Sequence, residues 1–224
     1  MKLLNSFVSP FAARVRVAIY AYDLPVEIAP SGQWTPDWRK APEYLAINPI
    51  GLVPALVLDD GRALPESSVI VEYLADACAE NALLPLDPED AARARLLAHL
   101  AELYVQTRGA PLIGQLFAAE VDRSTIEERV AAMDEGLSYL EHFMGDAPFD
   151  PDGDITVADC ALAPILFFFA ERMPLALGSA PILGKRPKLA RYWDAVQKAP
   201  AVAKVLDEMR TAIGESRVRA LLAG

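Results

Sequence analysis

The chain has 224 residues and carries a formal net charge of −10 at pH 7. Hydrophobic residues make up 53% of it, which is enough to fill one large or two modest domain cores. Because nucleic-acid binding requires clustered Lys and Arg, the acidic balance argues against a nucleic-acid partner.

Apolar runs and cysteines exclude further classes of protein. The stretch Ala161–Ala170 contains Pro164 and ends at charged residues, so it predicts a buried helix and no membrane span. The amino terminus lacks the basic and apolar regions of a secretory leader, and we therefore expect a cytoplasmic protein. Cys78 and Cys160 lie far apart in apolar helical patterns without metal-ligand spacing, which predicts two buried thiols and no metal.

The first 80 residues mix strand and helix patterns. Ser9-Pro10 begins a predicted helix, because serine caps free amides and proline suits the first helical position. The turn Asp59-Asp60-Gly61 predicts a hairpin. The predicted elements are strands at 2–6, 26–28, 55–58 and 62–64, helices at 10–22 and 66–79, and a helical or irregular segment at 36–46.

A proline-bracketed stretch, Pro85-Leu-Asp-Pro88, marks the predicted linker to a second region that is helical throughout. Thr156-Val-Ala-Asp159 fits a capping box, which gives Asp159 a structural role. The run at 167–169, Phe-Phe-Phe, cannot share one helix face and predicts core packing. The predicted helices are 89–119, 125–144, 157–172, 187–198 and 201–211.

Ser9 stands at the start of the first predicted helix, where free amides and the helix dipole attract negative charge. Its hydroxyl has two possible roles. It can cap the helix, or it can donate a hydrogen bond to an anion that a ligand brings. Taken alone, the position favours the cap.

Two later segments point to a ligand. In the segment Asn48-Pro-Ile-Gly-Leu-Val-Pro-Ala-Leu56, Pro54 falls at a strand entry, where a cis bond after Val53 is compatible with the pattern. A cis bond would turn the Val53 backbone outward, and a peptide ligand could pair with it. Glu66-Ser67 then begin a helix whose amides and dipole could hold a carboxylate.

Three segments in this order resemble the amino-terminal half of the glutathione transferase superfamily. They are Ser-Pro-Phe-Ala-Ala-Arg-Val-Arg at 9–16, the segment at 48–56 and Pro-Glu-Ser-Ser at 65–68. The resemblance implies an α/β thioredoxin-like amino-terminal domain, residues 1–80, that binds glutathione. It also implies an all-α helical-bundle carboxyl-terminal domain, residues 88–224, that forms the pocket for the acceptor substrate.

The resemblance also assigns roles to individual residues. Val53 would pair its backbone with the cysteinyl part of glutathione, and Glu66 and Ser67 would hold the γ-glutamyl end. Lys40 falls where the omega-like branch of the superfamily has a lysine for the glycine carboxylate. The implied glutathione-binding residues are Phe11, Lys40, Val53, Pro54, Glu66 and Ser67.

Ser9 takes the place of the reactive residue. The omega-like branch reads Cys-Pro-Phe where this chain reads Ser-Pro-Phe, and a serine hydroxyl cannot carry out thiol exchange, so we expect weak disulfide-exchange activity or none. Ser9 is similar to the serine of the theta-like and zeta-like branches, which donates a hydrogen bond to the glutathione sulfur. The resemblance therefore implies a detoxifying glutathione S-transferase with Ser9 as its catalytic residue and glutathione as its co-substrate.

The second substrate is expected to be a small hydrophobic electrophile. Tyr104 and Arg108 are four residues apart on one predicted helix face, and together they would suit a polarised acceptor. Ordinary packing of Tyr104 and a surface ion pair of Arg108 are the alternatives. The candidate acceptor-pocket residues are Phe11, Trp34, Tyr104, Arg108 and Phe117.

Glutathione is anionic, so its site needs a local positive field. The basic cluster of the amino-terminal half should supply it, although a solvated helix surface is the better interpretation of Arg16. This cluster consists of Arg14, Arg16, Arg39 and Lys40.

Assembly and reaction type rest on the resemblance as well. It implies a homodimer, with Glu72, Tyr73, Arg93 and Leu97 as plausible contributors. A glutathione-dependent isomerase, a thioether or ether lyase, and a non-catalytic binding module of the same fold are alternatives to the transferase. Acceptor choice depends on geometry that residue spacing does not determine.

Overall fold

A small mixed sheet occupies the amino-terminal part of the chain, and helices make up the rest. The structure is a computed structural model that describes residues 1–29, 38–78, 83–115, 123–146, 149–173 and 182–214. The expected class is confirmed: a thioredoxin-like domain precedes an all-α domain. Among the described helices, none is both long and apolar enough to cross a bilayer.

The sheet has four short strands in the order β2-β1-β3-β4. Strands β1 and β2 run parallel, whereas β1 pairs antiparallel with β3, and β3 pairs antiparallel with β4. Leu3 of β1 lies opposite Leu56 of β3, which lies opposite Leu64 of β4. The strands are β1 Lys2–Leu4, β2 Glu27–Ile28, β3 Ala55–Val57 and β4 Ala63–Pro65. All four strands were predicted, with bounds that differ by one or two residues.

Three α-helices accompany the sheet: α1 Pro10–Ala21, α2 Pro42–Ile47 and α3 Ser67–Ala77. A turn of 3₁₀ helix, Trp38–Lys40, precedes α2. Helix α1 is buried on every side from Ala12 to Ile19, because α3 and two helices of the second domain all pack against it. A helix that is apolar nearly all round belongs inside a core.

The second domain contains two long helical stretches that each include a wider π-helical turn. The sequence predicted uninterrupted helices there. Tyr104 lies in the first wide turn, and its carbonyl is so close to Gly136 that a Cβ on Gly136 would lie 2.0 Å from it. The elements are α4 Pro88–Leu100, the π turn Ala101–Gln106, α5 Thr107–Gln115, α6 Arg123–Phe143, α7 Val157–Leu166, the π turn Phe167–Arg172, α8 Pro187–Val196 and α9 Pro200–Gly214.

One hydrophobic core runs through both domains. It includes Leu3 and Leu56 from the sheet, and Val105 and Leu206 from the helical domain. Phe167, Phe168 and Phe169 are all buried in it, as predicted. The domain boundaries at 80 and 88 remain predictions.

Candidate functional site

An open cleft of about 370 Å³ lies between the entry of β3, the end of β4 and the start of α3. The two peptide segments singled out in the sequence supply most of its walls. Phe11, from the first turn of α1, lies on the other side. The lining residues are Phe11, Asn48, Ile50, Leu52, Val53, Pro54, Pro65, Glu66 and Ser67. The structure therefore brings together five of the six predicted glutathione-binding residues.

The cleft floor is held by a buried asparagine that the sequence reasoning missed. Asn48 Nδ2 donates to the Leu52 carbonyl at 2.8 Å, and Asn48 Oδ1 accepts from Ile50 N at 3.1 Å. Tyr44 Oη also donates to the Leu52 carbonyl. These bonds fix the loop that leads into Val53–Pro54, whose peptide bond is cis, as the sequence allowed. The sequence signal for this role of Asn48 was the Asn48-Pro49 pair, which begins the segment that leads to Pro54.

Glu66 has an unusual backbone conformation at the cleft edge. Its φ is 70°, in the left-handed region of backbone conformation that residues other than glycine rarely adopt. The residue is exposed, and its carboxylate makes no capping hydrogen bond to α3. Such conformations cost roughly 1–3 kcal/mol and occur preferentially at ligand clamps. Ser67, buried at the first position of α3, lines the same cleft.

Ser9 is half-buried at the amino-terminal end of α1. Its Oγ accepts a hydrogen bond from Ala12 N at 3.3 Å, so the predicted cap is present. A hydroxyl has one donor and two acceptor sites, and the cap uses one acceptor only. The cap and a hydrogen bond donated to an anion are therefore compatible, and the capping amide polarises the hydroxyl in the favourable direction.

Comparison with known proteins gives the family. The "Glutathione S-transferase, N-terminal domain" model matches residues 8–77, and the "Glutathione S-transferase, C-terminal domain" model matches residues 123–195. A maleylacetoacetate isomerase of Pseudomonas aeruginosa is 31% identical over 206 residues, which cover 89% of this chain and 95% of the relative. The chain belongs to the glutathione S-transferase superfamily.

Further similarities agree with this membership. Human glutathione S-transferase theta-2 is 36% identical over 169 residues, covering 71% of this chain and 65% of the relative. A crystal structure of a glutathione S-transferase from Methylobacillus flagellatus, with glutathione bound, has a TM-score of 0.70 and 25% identity. The match covers 91% of this chain and 98% of that structure. This chain is thus a glutathione transferase enzyme.

Three other residues, predicted to bind glutathione or the acceptor, are not among the described residues that line this cleft. Lys40 is exposed at the end of the 3₁₀ turn and does not line the cleft. Trp34 and Phe117, both predicted in the acceptor pocket, lie outside the described residues. Their roles stay predictions.

Tyr104 and Arg108 do share a helix face, as predicted, but their observed contacts are with α6. The Arg108 guanidinium lies 5.0 Å from the centre of the Tyr104 ring. It pairs with Glu135, and Glu135 also accepts a hydrogen bond from Tyr139 at 2.7 Å. These two hydrogen bonds hold the pKa of the exposed Glu135 carboxyl below its usual range. The structure does not bring Tyr104 and Arg108 into the cleft of Val53 and Glu66.

Two of the four basic residues that were predicted to give the glutathione site a positive field are instead paired with carboxylates elsewhere. Arg14 is 3% exposed and bonds Glu102 at 2.7 Å, and Arg16 is 0% exposed and bonds Glu208 at 2.5 Å. Each guanidinium is neutralised within the core. The expectation of a solvated Arg16 failed because its partner, 192 positions away, leaves no local trace in the sequence.

The two cysteines are buried to different degrees. The prediction of two buried thiols is confirmed for Cys160, whose burial raises the pKa of its thiol, and is wrong for Cys78, which is only half-buried. Within the described ranges, no three His, Cys, Asp or Glu side chains are grouped closely enough to hold a metal ion.

Proposed function

We propose that this enzyme is a serine-type glutathione transferase, in which Ser9 donates a hydrogen bond to the glutathione thiolate. The activated sulfur then attacks a small hydrophobic electrophile. The observation that carries the proposal is the position of the Ser9 hydroxyl, which accepts a hydrogen bond from Ala12 N at the start of α1, the helix whose first turn contributes Phe11 to the cleft.

The chemistry of the cleft suits the two ends of glutathione. The γ-glutamyl end carries an ammonium and a carboxylate. Glu66, exposed and without a capping bond, complements the ammonium, while the Ser67 hydroxyl and the amides of α3 suit the carboxylate. We propose that the Val53 backbone pairs with the cysteinyl part and that Lys40 binds the glycine carboxylate.

The energies are sufficient for thiol activation. A free thiol has a pKa near 8.5, and lowering it by about two requires roughly 2.7 kcal/mol of preferential thiolate stabilisation. One hydrogen bond to a charged group supplies about 1.5–3 kcal/mol. A helix amino terminus adds about 0.3–1 kcal/mol. Ser9 together with α1 can therefore account for the whole effect.

The remaining features of the proposal are those that the resemblance implies. The electrophile would bind against Phe11, Trp34, Tyr104, Arg108 and Phe117 in a pocket formed with the domain at 88–224, facing a glutathione-binding domain at 1–80. We propose a cytoplasmic homodimer with a role in detoxification. Light scattering at micromolar concentration tests the assembly, because a mass near 24.3 kDa would show a monomer.

Calorimetric titration with reduced glutathione tests the binding step. We expect saturable heat of binding in the micromolar to millimolar range, reduced in a Glu66→Gln variant. An absence of binding at millimolar glutathione would favour a non-catalytic relative of the transferases.

Two substitutions of Ser9 separate the cap from the catalytic hydrogen bond. Glycine is nearly as good a cap, so Ser9→Gly should cost only a few tenths of a kcal/mol of stability. Turnover at neutral pH should nevertheless fall roughly tenfold to hundredfold, with partial recovery at higher pH as the thiolate forms unaided. Ser9→Thr keeps both functions and serves as the control. A fully active Ser9→Gly enzyme would remove Ser9 from the mechanism.

Glutathione-dependent isomerisation is the second candidate function. The relative from Pseudomonas aeruginosa, a maleylacetoacetate isomerase, matches this chain over 89% of its length. The same thiolate could add reversibly to a cis-unsaturated acid and release the trans isomer. Parallel assays with maleylacetoacetate and with an aryl halide decide between the two, and the larger kcat/KM identifies the reaction class.

A further inference from the structure

The Ser9 hydroxyl is presented by a tight turn between β1 and α1. Ser9 N donates to the Ser6 carbonyl at 3.1 Å, so Phe7 and Val8 form the corner of a four-residue turn. The direction of the Ser9 side chain therefore depends on where the Phe7 peptide is held.

Arg16 holds that corner from inside the core. Its Nη2 donates to the Phe7 carbonyl at 3.0 Å, and its guanidinium carbon lies 4.6 Å from the centre of the Phe7 ring. The arginine thus contacts both the backbone and the side chain of one turn residue. A cation over an aromatic face and a hydrogen bond to a carbonyl together restrict the peptide's rotation.

The carboxyl-terminal helix α9 holds the guanidinium in turn. Glu208 accepts from Arg16 Nη1 at 2.5 Å and from Tyr20 Oη at 2.7 Å, so both of its oxygens are used. Lys204, one turn before Glu208 on α9, places its ammonium 3.6 Å from the centre of the Tyr20 ring. Helix α9 is therefore connected to the Ser9 turn through two consecutive contacts, Glu208 to Arg16 and Arg16 to Phe7.

Burying the Arg16 guanidinium removes a charge from water, which is unfavourable for the stability of the core. Burial lowers the pKa of the Arg16 guanidinium, against the attraction of Glu208. Buried ion pairs are often replaced by apolar side chains with no loss of stability. A buried guanidinium that reaches a turn carbonyl indicates a geometric role.

We propose that Arg16 is a positioning residue that orients the Ser9 hydroxyl through the Phe7 peptide, with Glu208 of α9 as its anchor. The proposal rests on the role of Ser9 proposed above. It makes the carboxyl-terminal helix part of the thiol-activating machinery, although no residue of that helix lines the cleft in the described structure.

The chain provides a matched control. Arg14 lies on the same helix, is equally buried, and joins Glu102 of the first π turn at 2.7 Å. Its side-chain hydrogen bond leads into the helical domain and not to the Ser9 turn. Replacing either arginine by lysine keeps the charge but removes the forked guanidinium. Arg14→Lys therefore measures the loss of stability that comes from removing a buried guanidinium, and Arg16→Lys adds to it the loss of the contact with the Ser9 turn.

The first measurement is independent of activity. Hydrogen–deuterium exchange of the peptide at 5–11 should be at least tenfold faster in Arg16→Lys than in the wild type. It should be unchanged in Arg14→Lys. Glu208→Gln, which weakens the anchor without removing Arg16, should give an intermediate rate and replaces Arg16→Lys should that variant fold poorly. Equal exchange in the Arg16 and Arg14 variants would overturn the proposal.

The second measurement is kinetic. In Arg16→Lys we expect kcat to fall roughly tenfold, since a small misplacement of a catalytic group is costly. The KM for glutathione should stay within about twofold, and the pH–rate profile should shift to higher pH, as in Ser9→Gly. Arg14→Lys should lose similar stability and keep its profile. A changed profile in Ser9→Gly with none in Arg16→Lys overturns the positioning role alone, whereas an unchanged profile in Ser9→Gly overturns the proposed function as well.

Discussion

Glu66 and Asp159 are two carboxylates at the starts of two helices, and they are used in opposite ways. Asp159, in the first turn of α7, is 6% exposed and accepts hydrogen bonds from Thr156 N, Thr156 Oγ1 and Tyr192 Oη at 2.7–3.0 Å. Glu66 precedes α3 with a left-handed backbone, an exposed side chain and no capping bond. The Asp159 carboxylate is used in hydrogen bonds within the fold, whereas the Glu66 carboxylate is available to a ligand.

The difference teaches how to separate structural from functional acids at helix ends. A helix start that satisfies its own amides, as Thr156 and Asp159 do in their capping box, stabilises the chain. A helix start that has no side-chain cap and a strained backbone leaves its amide groups available to donate hydrogen bonds to a ligand. The comparison predicts that substitutions at the two sites affect different measurable quantities.

Asp159→Ala should have the largest effect on stability. It leaves Thr156 N and the buried Tyr192 hydroxyl without a partner, and we expect a loss of about 3–5 kcal/mol in the free energy of unfolding. Denaturant titration measures it. Asp87→Ala removes the exposed cap of α4 and, as a control, should cost only about 1 kcal/mol. Similar losses in both variants would contradict the distinction between the two helix starts.

Glu66→Gln should change binding and leave stability alone. Loss of a charged partner for the glutathione ammonium should weaken affinity by roughly tenfold to hundredfold, or about 1.5–3 kcal/mol. Calorimetry measures this change. Glu66→Gly should weaken affinity similarly and raise stability by up to about 1 kcal/mol, because glycine adopts positive φ without strain. A destabilised Glu66→Gly variant would show that the carboxylate belongs to the fold.

Tyr22→Phe should have the smallest effect, and that effect should depend on pH. Tyr22 Oη donates to the Ile155 carbonyl at 2.8 Å, just before the capping box, and burial raises the Tyr22 pKa to about 12. Since the folded pKa exceeds the unfolded value near 10, the phenol stabilises the fold below pH 10. The expected contribution of about 1 kcal/mol should be lost between about pH 10 and 12. A stability difference between wild type and Tyr22→Phe that grows across this range would refute the assignment.

Local patterns predicted the fold well because they are governed by neighbours in sequence. The serine-proline start of α1, the hairpin at Asp59-Asp60-Gly61 and the capping box at Thr156 all depend on residues within a few positions of one another. The two π turns were not predictable in this way, because no capping or turn residue marks them.

The candidate site was predictable in part for the same reason. Val53, Glu66 and Ser67 lie in short peptide motifs, and the structure gathers them into one cleft. The pairing of Arg16 with Glu208, and of Arg108 with Glu135, joins residues that are 192 and 27 positions apart. Such pairs depend on tertiary packing, so a single sequence gave a misleading expectation for Arg16 and left two interpretations open for Arg108.

Helix α1 belongs to the amino-terminal, thioredoxin-like domain in sequence, yet α7 and α9 of the helical domain also pack against it. Ala13 and Val17 of α1 lie in the same apolar cluster as Leu162 and Leu206. Removing either half would expose that surface to water, so we expect the two domains to unfold as one cooperative unit. We therefore expect that the amino-terminal half could be combined with a foreign helical half only if that half presented a surface complementary to α1.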